Sequence, residues 1–364
     1  MSSIETSAPG KIILAGEHSA VYGRPALVAA LNLRLRVILE ERREPGVAVI
    51  LPELGYEGEV SCTDLREYAG AVRRRWLDFE RDPSPAAFHR LRGRDPAHLV
   101  KVALGEILAG APQADPGWRL SVDSDLPVGC GMGSSAALAA AVTLAALLAL
   151  GVEVSSDQLG DLVLDCERRQ HGSPSGVDGA VVLRGGVVWA ERRGSGELDL
   201  EDVDAGAAGV LGDLVIVNTG APAQTTGEVV ASVRELHDRD AAVFAATLDR
   251  LEEAARELRR GLEQNQGSTV AAALTEAERG LETLGVVPAE VIERIRRVEG
   301  AGGAAKVSGA GAIAGSGAGC LVVYHPDPSA DLGGLLPGAG VVPAALGAAG
   351  AAALGAIGVS GGLS

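Results

Sequence analysis

Aromatic residues are scarce in this chain of 364 residues, where Phe, Trp and Tyr together make up 3%. Its cores must therefore be assembled from Ala, Val, Leu and Ile. Cysteine is also rare. Cys62, Cys130, Cys166 and Cys320 form no CxxC pair and stand beside no histidine cluster, which argues against a disulfide framework or a zinc site and leaves buried thiols. Only three of the 32 cationic side chains are lysines, Lys11, Lys101 and Lys306, and two of these fall in glycine-containing motifs. Positive charge is outweighed throughout, with a formal net charge of −16. An acidic surface repels a phosphate backbone, so no nucleic-acid partner is expected. The opening MSSIETSAPGK has neither a basic n-region nor an apolar h-region. With the unpaired cysteines, this predicts a reducing, cytoplasmic setting. Long apolar spans are missing as well. Residues 136–151 are uncharged but short and mostly alanine, and residues 338–364 carry Pro343 and many glycines, so no membrane partner is expected.

What remains is ordinary for a globular protein, 47% hydrophobic and 22% charged. The length suggests two domains. Strands are predicted at 12–16, 32–40, 46–51 and 118–122, with solvated helices and loops over 64–94. An alanine-rich buried helix ends near Gly151. Ser155-Ser156-Asp157 supplies an N-cap for a further helix whose stripe is Leu159, Leu162, Val163 and Cys166. Glu167 lies about 80° from Leu159 around that helix, on the margin of the stripe, where a carboxylate can look into a cleft. A strand at 187–190, a Gly/Asp/Glu-rich link at 194–213 and a strand at 214–217 follow. Helices are predicted near 228–260, 268–284 and 288–298, and a strand–glycine loop–strand over 304–324. The layout reads as two α+β domains, 1–208 and 209–364, with a cleft between them.

Three stretches carry chemistry. Between Pro127 and Ser135, a glycine-rich run (Gly129, Cys130, Gly131, Met132, Gly133, Ser134, Ser135) joins a strand to a helix. Glycines let the backbone approach an anion, and the helix start offers free N–H groups, which is the physics of a phosphate cradle. A tight turn with a serine N-cap is the other reading. The run Gly309–Ala314 imitates a dinucleotide fingerprint, but the strand at 321–323 begins too soon for a crossover helix. Glu167 and Asp178 stand eleven residues apart across a Gly/Pro/Ser loop. Such a pair can divide metal holding from orienting or deprotonating a hydroxyl, or be a surface Glu and a turn Asp. Lys11, just before a strand, is either a solvated lysine or a point charge aimed at phosphate.

In order along the chain these segments resemble one family. Ser7–Lys11 followed by Gly16-Glu17-His18-Ser19-Ala20-Val21-Tyr22-Gly23 is similar to the first motif of the GHMP kinases, in the form found in mevalonate kinases rather than galactokinases. Residues 127–137 resemble the second, ATP-phosphate motif. His171–Asp178 (HGSPSGVD) looks like the catalytic loop of mevalonate kinases, with Glu167 at the matching upstream position, and Lys306–Gly311 begins like the third motif. The resemblance implies a fold with an N-terminal domain like the second domain of ribosomal protein S5 and a ferredoxin-like C-terminal domain. It implies ATP-dependent phosphorylation of the primary hydroxyl of mevalonate, with Gly129 to Ser135 wrapping the ATP phosphates and Ser135 and Glu167 holding Mg²⁺. Asp178 would orient or deprotonate the hydroxyl, Lys11 would stabilise it and the transferring phosphoryl, and Glu17, His18 and Gly309 would contact substrate. ATP and mevalonate are the expected partners, and a homodimer is left open. Two departures stand out. The third motif is extended through 312–318, and Ala223 stands where a basic residue is expected after Pro222. Another GHMP kinase with a phosphomevalonate or hydroxy-acid acceptor, and a non-catalytic GHMP-fold binding protein, are the alternatives.

Overall fold

The structure, a computed structural model, describes residues 3–127, 130–192, 197–206 and 209–357. Strands β1 (Ser3–Ala15) and β2 (Ala26–Glu41) form a long antiparallel pair. β1 begins well before the predicted residue 12 and passes through Pro9. The register slips between Pro9 and Lys11, so the missing proline N–H falls at a bulge, where a strand tolerates it. β3 (Gly46–Leu51) and β4 (Tyr56–Val60) make a hairpin, followed by α1 (Cys62–Arg81), α2 (Pro85–Arg92) and α3 (His98–Gly110). α1 is amphipathic and buries Leu65, Ala69, Val72 and Phe79. β5 (Gly117–Ser124) inserts between β2 and β3, antiparallel to the first and parallel to the second.

α4 (Ser134–Ala149), α5 (Ser156–His171) and α6 (Val177–Arg184) come next. α4 packs on β1 and β2 on one side and on α3 and α5 on others, so it is apolar nearly all round and its alanines permit the close approach. α5 begins at the predicted cap, where Ser155 and Gln158 form a reciprocal capping box. β6 (Val187–Arg192) pairs with the start of β2, and β7 (Leu198–Asp202) pairs with β6. The predicted link over 194–213 thus contains a strand, which the acidic residues alternating along its exposed side concealed.

The second half opens with β8 (Leu214–Asn218) and α7 (Thr226–Arg239), α8 (Ala241–Glu263), α9 (Gly267–Thr283) and α10 (Ala289–Gly300). The single helix predicted over 228–260 is two. Asp240 ends α7, and its carboxylate accepts the Val243 N–H at 3.1 Å to start α8. β9 (Ala304–Ser308), β10 (Cys320–Tyr324), α11 (Leu332–Leu335), β11 (Gly340–Val342) and β12 (Ala352–Ile357) complete the described chain. The four-stranded sheet runs β11-β8-β10-β9. Its alternation buries both faces: Ile216, Cys320 and Val322 join the core of the first sheet, while Val217, Leu321 and Val323 face a second core under α7, α8 and α10.

β12 leaves this half and pairs with β1, so residues 352–357 lie in the first sheet although a division at 208/209 groups them with the second stretch. The glycines before it have a spatial reason. A Cβ on Gly350 would lie 2.1 Å from the Leu183 carbonyl oxygen, and one on Gly185 would lie 2.2 Å from the Gly350 nitrogen. Among the described residues no helix is long and apolar enough to cross a membrane.

Candidate active site

The C-terminal part of β1, the start of α4, the end of α5 and the start of α6 converge at one end of the first sheet. The Lys11 backbone N–H donates to the Met132 carbonyl at 2.9 Å, which draws the glycine turn over the strand. Gly133 has φ +73°, and a Cβ there would meet Lys11 Cγ at 2.6 Å, so handedness and space both require glycine. Gly133 is also the N-cap of α4, with no side-chain cap and no acidic residue in the first turn. The N–H groups and the positive dipole end of a buried helix are therefore left for an anion. Of the predicted cradle, Cys130 to Ser135 are described and Gly129 lies outside the described residues. The side chains of Cys130 and Met132 are buried, and Asn218 Nδ2 donates to Cys130 Sγ at 3.2 Å, so these two residues can offer a ligand only their backbone.

Asp178 lies in the first turn of α6 rather than in a loop, because Gly176 at φ +83° turns the chain into a helix. Its carboxylate is 3.1 Å from Lys11 Nζ; the lysine side chain is 6% exposed and the aspartate 38%. Behind them Ser135 Oγ lies 2.9 Å from His171 Nε2, which is 3.8 Å from Glu167 Oε2. Glu167, predicted at the margin of its helix, is buried, and its Oε1 has no hydrogen-bond partner among the described residues. Burial, helped by the charge of Asp178, pushes the Glu167 carboxyl up to about 8, against the Ser135 hydroxyl and Lys11. Desolvation holds the His171 imidazole below its ordinary value, with Asp178 opposing and Arg92 and Lys11 adding to the effect.

Glu17 and His18 sit at the seam with the third motif. Glu17 forms a buried ion pair with Lys306, and desolvation raises its carboxyl against the pull of that lysine. His18, at φ +59°, places Nε2 3.0 Å from the Ala310 carbonyl oxygen. Ser308 Oγ donates to the Ile13 carbonyl at 2.9 Å and accepts from its N–H at 3.1 Å, which fastens β9 to β1. A side chain on Gly309 would meet nothing within 4 Å, so open space lies beside it. The two departures from the family pattern are neighbours. The extended loop is held by Gln224 Oε1, which accepts from the N–H groups of Ile313 and Ala314 at 3.0 and 3.3 Å, and a Cβ on Gly315 would lie 3.3 Å from that of Ala223.

The structure thus brings Lys11, Ser135, Glu167 and Asp178 together and puts Glu17, His18 and Gly309 along one seam. Sequence reasoning assigned no role to His171, although it was in view within HGSPSGVD, nor to Lys306, one of three lysines. It missed Glu278, whose buried Oε2 accepts the Val307 N–H at 2.9 Å, because nothing local marks it. Among the described residues no group of three or more His, Cys, Asp or Glu is placed to hold a metal ion by itself.

Comparison with known proteins gives the family to which the chain is similar. The profile of the GHMP kinases N terminal domain matches residues 98–186, which span α3 to α6 and so include Ser135, Glu167 and Asp178. The chain is 30% identical over 344 residues to a mevalonate kinase of Thermococcus gammatolerans, covering 93% of each protein. It is 29% identical over 345 residues to that of Pyrococcus furiosus, again covering 93% of each. In fold it is similar to the crystal structure of the Methanococcus jannaschii mevalonate kinase, with a TM-score of 0.72 at 17% identity over 94% of this chain and 98% of that one.

Proposed function

The chain belongs to the mevalonate kinase family, and from that premise we propose that it transfers the γ-phosphoryl group of ATP to the primary hydroxyl of mevalonate, giving mevalonate 5-phosphate and ADP. The observation that carries the reading is the Lys11–Asp178 pair, set 3.1 Å apart beside the uncapped start of α4. The N–H groups of that helix start and the turn before it receive the ATP phosphates. Asp178 accepts the hydroxyl proton as the hydroxyl oxygen bonds to the γ-phosphorus and the bond to the bridging β,γ oxygen breaks. Lys11 lies beside both groups and neutralises the charge that gathers on the transferring phosphoryl. Phosphoryl transfer asks mainly for such positioning and charge compensation. The open side of Gly309 faces the acceptor pocket with His18 beside it, whereas Glu17, whose side chain is 1% exposed and paired with Lys306, supports the seam from behind.

The residues fit a divalent cation. Glu167 Oε1 is buried with no partner among the described residues, and Ser135 Oγ lies on the same side of the cleft. One carboxylate and one hydroxyl suit Mg²⁺, which takes its remaining ligands from phosphate and water. When bound it neutralises charge on the phosphate oxygens.

Release of ADP from Mg²⁺-ATP in the presence of mevalonate, phosphomevalonate, homoserine or galactose tests the reading. Turnover is expected with mevalonate alone. A different active acceptor would assign the extended loop at 312–318 a new specificity, and ATP binding with no active acceptor would make the protein a binding module. Glu167→Gln is expected to raise the Mg²⁺ needed for half-maximal turnover, and an unchanged Mg²⁺ titration would remove Glu167 from the metal site.

A further inference from the structure

His171 is the last residue of α5, and its surroundings are unusually well fastened. The carbonyl two residues before it, that of Arg169, accepts from His98 Nε2 at 3.2 Å. The carbonyl one residue after it, that of Gly172, accepts from Trp76 Nε1 at 3.0 Å. The Trp76 ring also lies 5.8 and 5.9 Å from the guanidinium carbons of Arg168 and Arg169, and a Cβ on Gly172 would lie 2.5 Å from Phe79 Cε1. Two ring N–H donors from α1 and α3 thus fix the backbone on either side of one histidine. The side chain so placed reaches Ser135 Oγ at 2.9 Å.

The chemistry of that contact is directional. A hydroxyl has one proton and two lone pairs. If Ser135 gave its proton to Glu167, it would occupy a carboxylate lone pair and turn its own oxygen away from the cleft. Ser135 also lies close enough to Glu167 to favour its carboxylate, so the two acceptors compete for one proton. An imidazole that takes it leaves the carboxylate open, and among the described residues Glu167 Oε1 has no hydrogen-bond partner.

We propose that His171 is a positioning residue: its Nε2 accepts the Ser135 hydroxyl proton, which aims the Ser135 oxygen and keeps Glu167 free for a divalent cation, while Trp76 holds His171 in place. Partners one step removed from a metal orient its ligands in this way, and their loss typically lowers metal affinity by about 10–100-fold. The inference rests on the kinase reading above, in which Ser135 and Glu167 hold the cation.

The test uses Mn²⁺ as the probe and the full chain saturated with ADP, with free Mn²⁺ followed by electron paramagnetic resonance. ADP affinity without metal and the melting temperature are measured in parallel. His171→Ala is expected to weaken Mn²⁺ binding about tenfold or more with metal-free ADP affinity unchanged, and His171→Gln to recover most of the loss through its amide oxygen. Trp76→Phe keeps the ring but lacks the N–H, and is expected to weaken Mn²⁺ binding severalfold with kcat affected more than KM for ATP. Wild-type or tighter Mn²⁺ binding by His171→Ala, with Glu167→Gln still deficient, overturns the proposal. If the wild-type ADP complex holds Mn²⁺ no better than ADP alone does, the metal reading itself fails.

Discussion

Two lysines, each paired with one acidic residue, divide this molecule's polar interior into parts of different kind. Lys11 meets Asp178 at the mouth of a cleft, where the carboxylate is 38% exposed. Lys306 meets Glu17 where the two side chains are 0% and 1% exposed, beside the buried Glu278. The first pair is solvated on the aspartate's side, so water or a ligand can reach the Asp178 carboxylate. The second is dry and unexchangeable, and it joins β9 to the turn after β1. Both lysines lie in motifs of the same family, yet one faces an exposed carboxylate in a cleft and the other holds two halves together. Burial separates them, not residue type.

The largest effect should come from the cleft pair. Asp178→Ala is expected to lower kcat by about 10²–10⁴-fold while ATP affinity, measured by calorimetry, stays close to wild type. Lys11→Met should lower kcat comparably and leave stability in urea denaturation within about 1 kcal/mol of wild type, because the Asp178 carboxylate is hydrated. The buried pair should behave in the opposite way. Lys306→Met strands the Glu17 carboxylate and should cost about 3–5 kcal/mol in urea denaturation, whereas adding Glu17→Gln should restore much of that loss. A Lys306→Met protein as stable as wild type would erase the distinction between the two sites.

The smallest expected effect concerns Glu278, which burial pushes up to about 7 from an ordinary 4.5, against the Val307 N–H and Lys306 and with help from Glu282 and Glu17. A carboxyl raised on folding binds its proton more tightly in the folded state. Its contribution is therefore complete below pH 4.5 and is lost as pH rises to about 7. Glu278 alone should take up to about 3 kcal/mol from stability across that window, and Glu278→Gln should remove that part of the pH dependence. Parallel pH profiles for the two proteins would place the titrating group elsewhere.

Much of the site was legible because its motifs are local. Gly133, Ser135 and Asp178 each sit at a loop–helix junction that glycine and serine announce, and Glu167 falls at the margin of a helical stripe. The contacts that complete it are not local: His171 reaches Ser135 across 36 residues and Lys306 reaches Glu17 across 289. No spacing rule connects such pairs. The break at Asp240 was within reach, since an aspartate three residues before a bonded N–H is a helix start, but the apolar period continues through it. β12 was hidden for a different reason. Its approach is glycine and alanine because neighbouring backbone leaves no room for side chains, which erases the alternation that marks a strand.

That last strand has a consequence for biosynthesis. β1 is held by β2 along one side and by β12 along the other, with Ser3 opposite Ile357 and Ser7 opposite Ala352. A ribosome makes β1 first and β12 last, roughly 20–70 s later at ordinary elongation rates. Throughout that interval the nascent sheet carries an open edge that can pair with any other extended chain. Slower elongation should therefore lengthen the time in which that edge can mispair, whatever the stability of the finished fold.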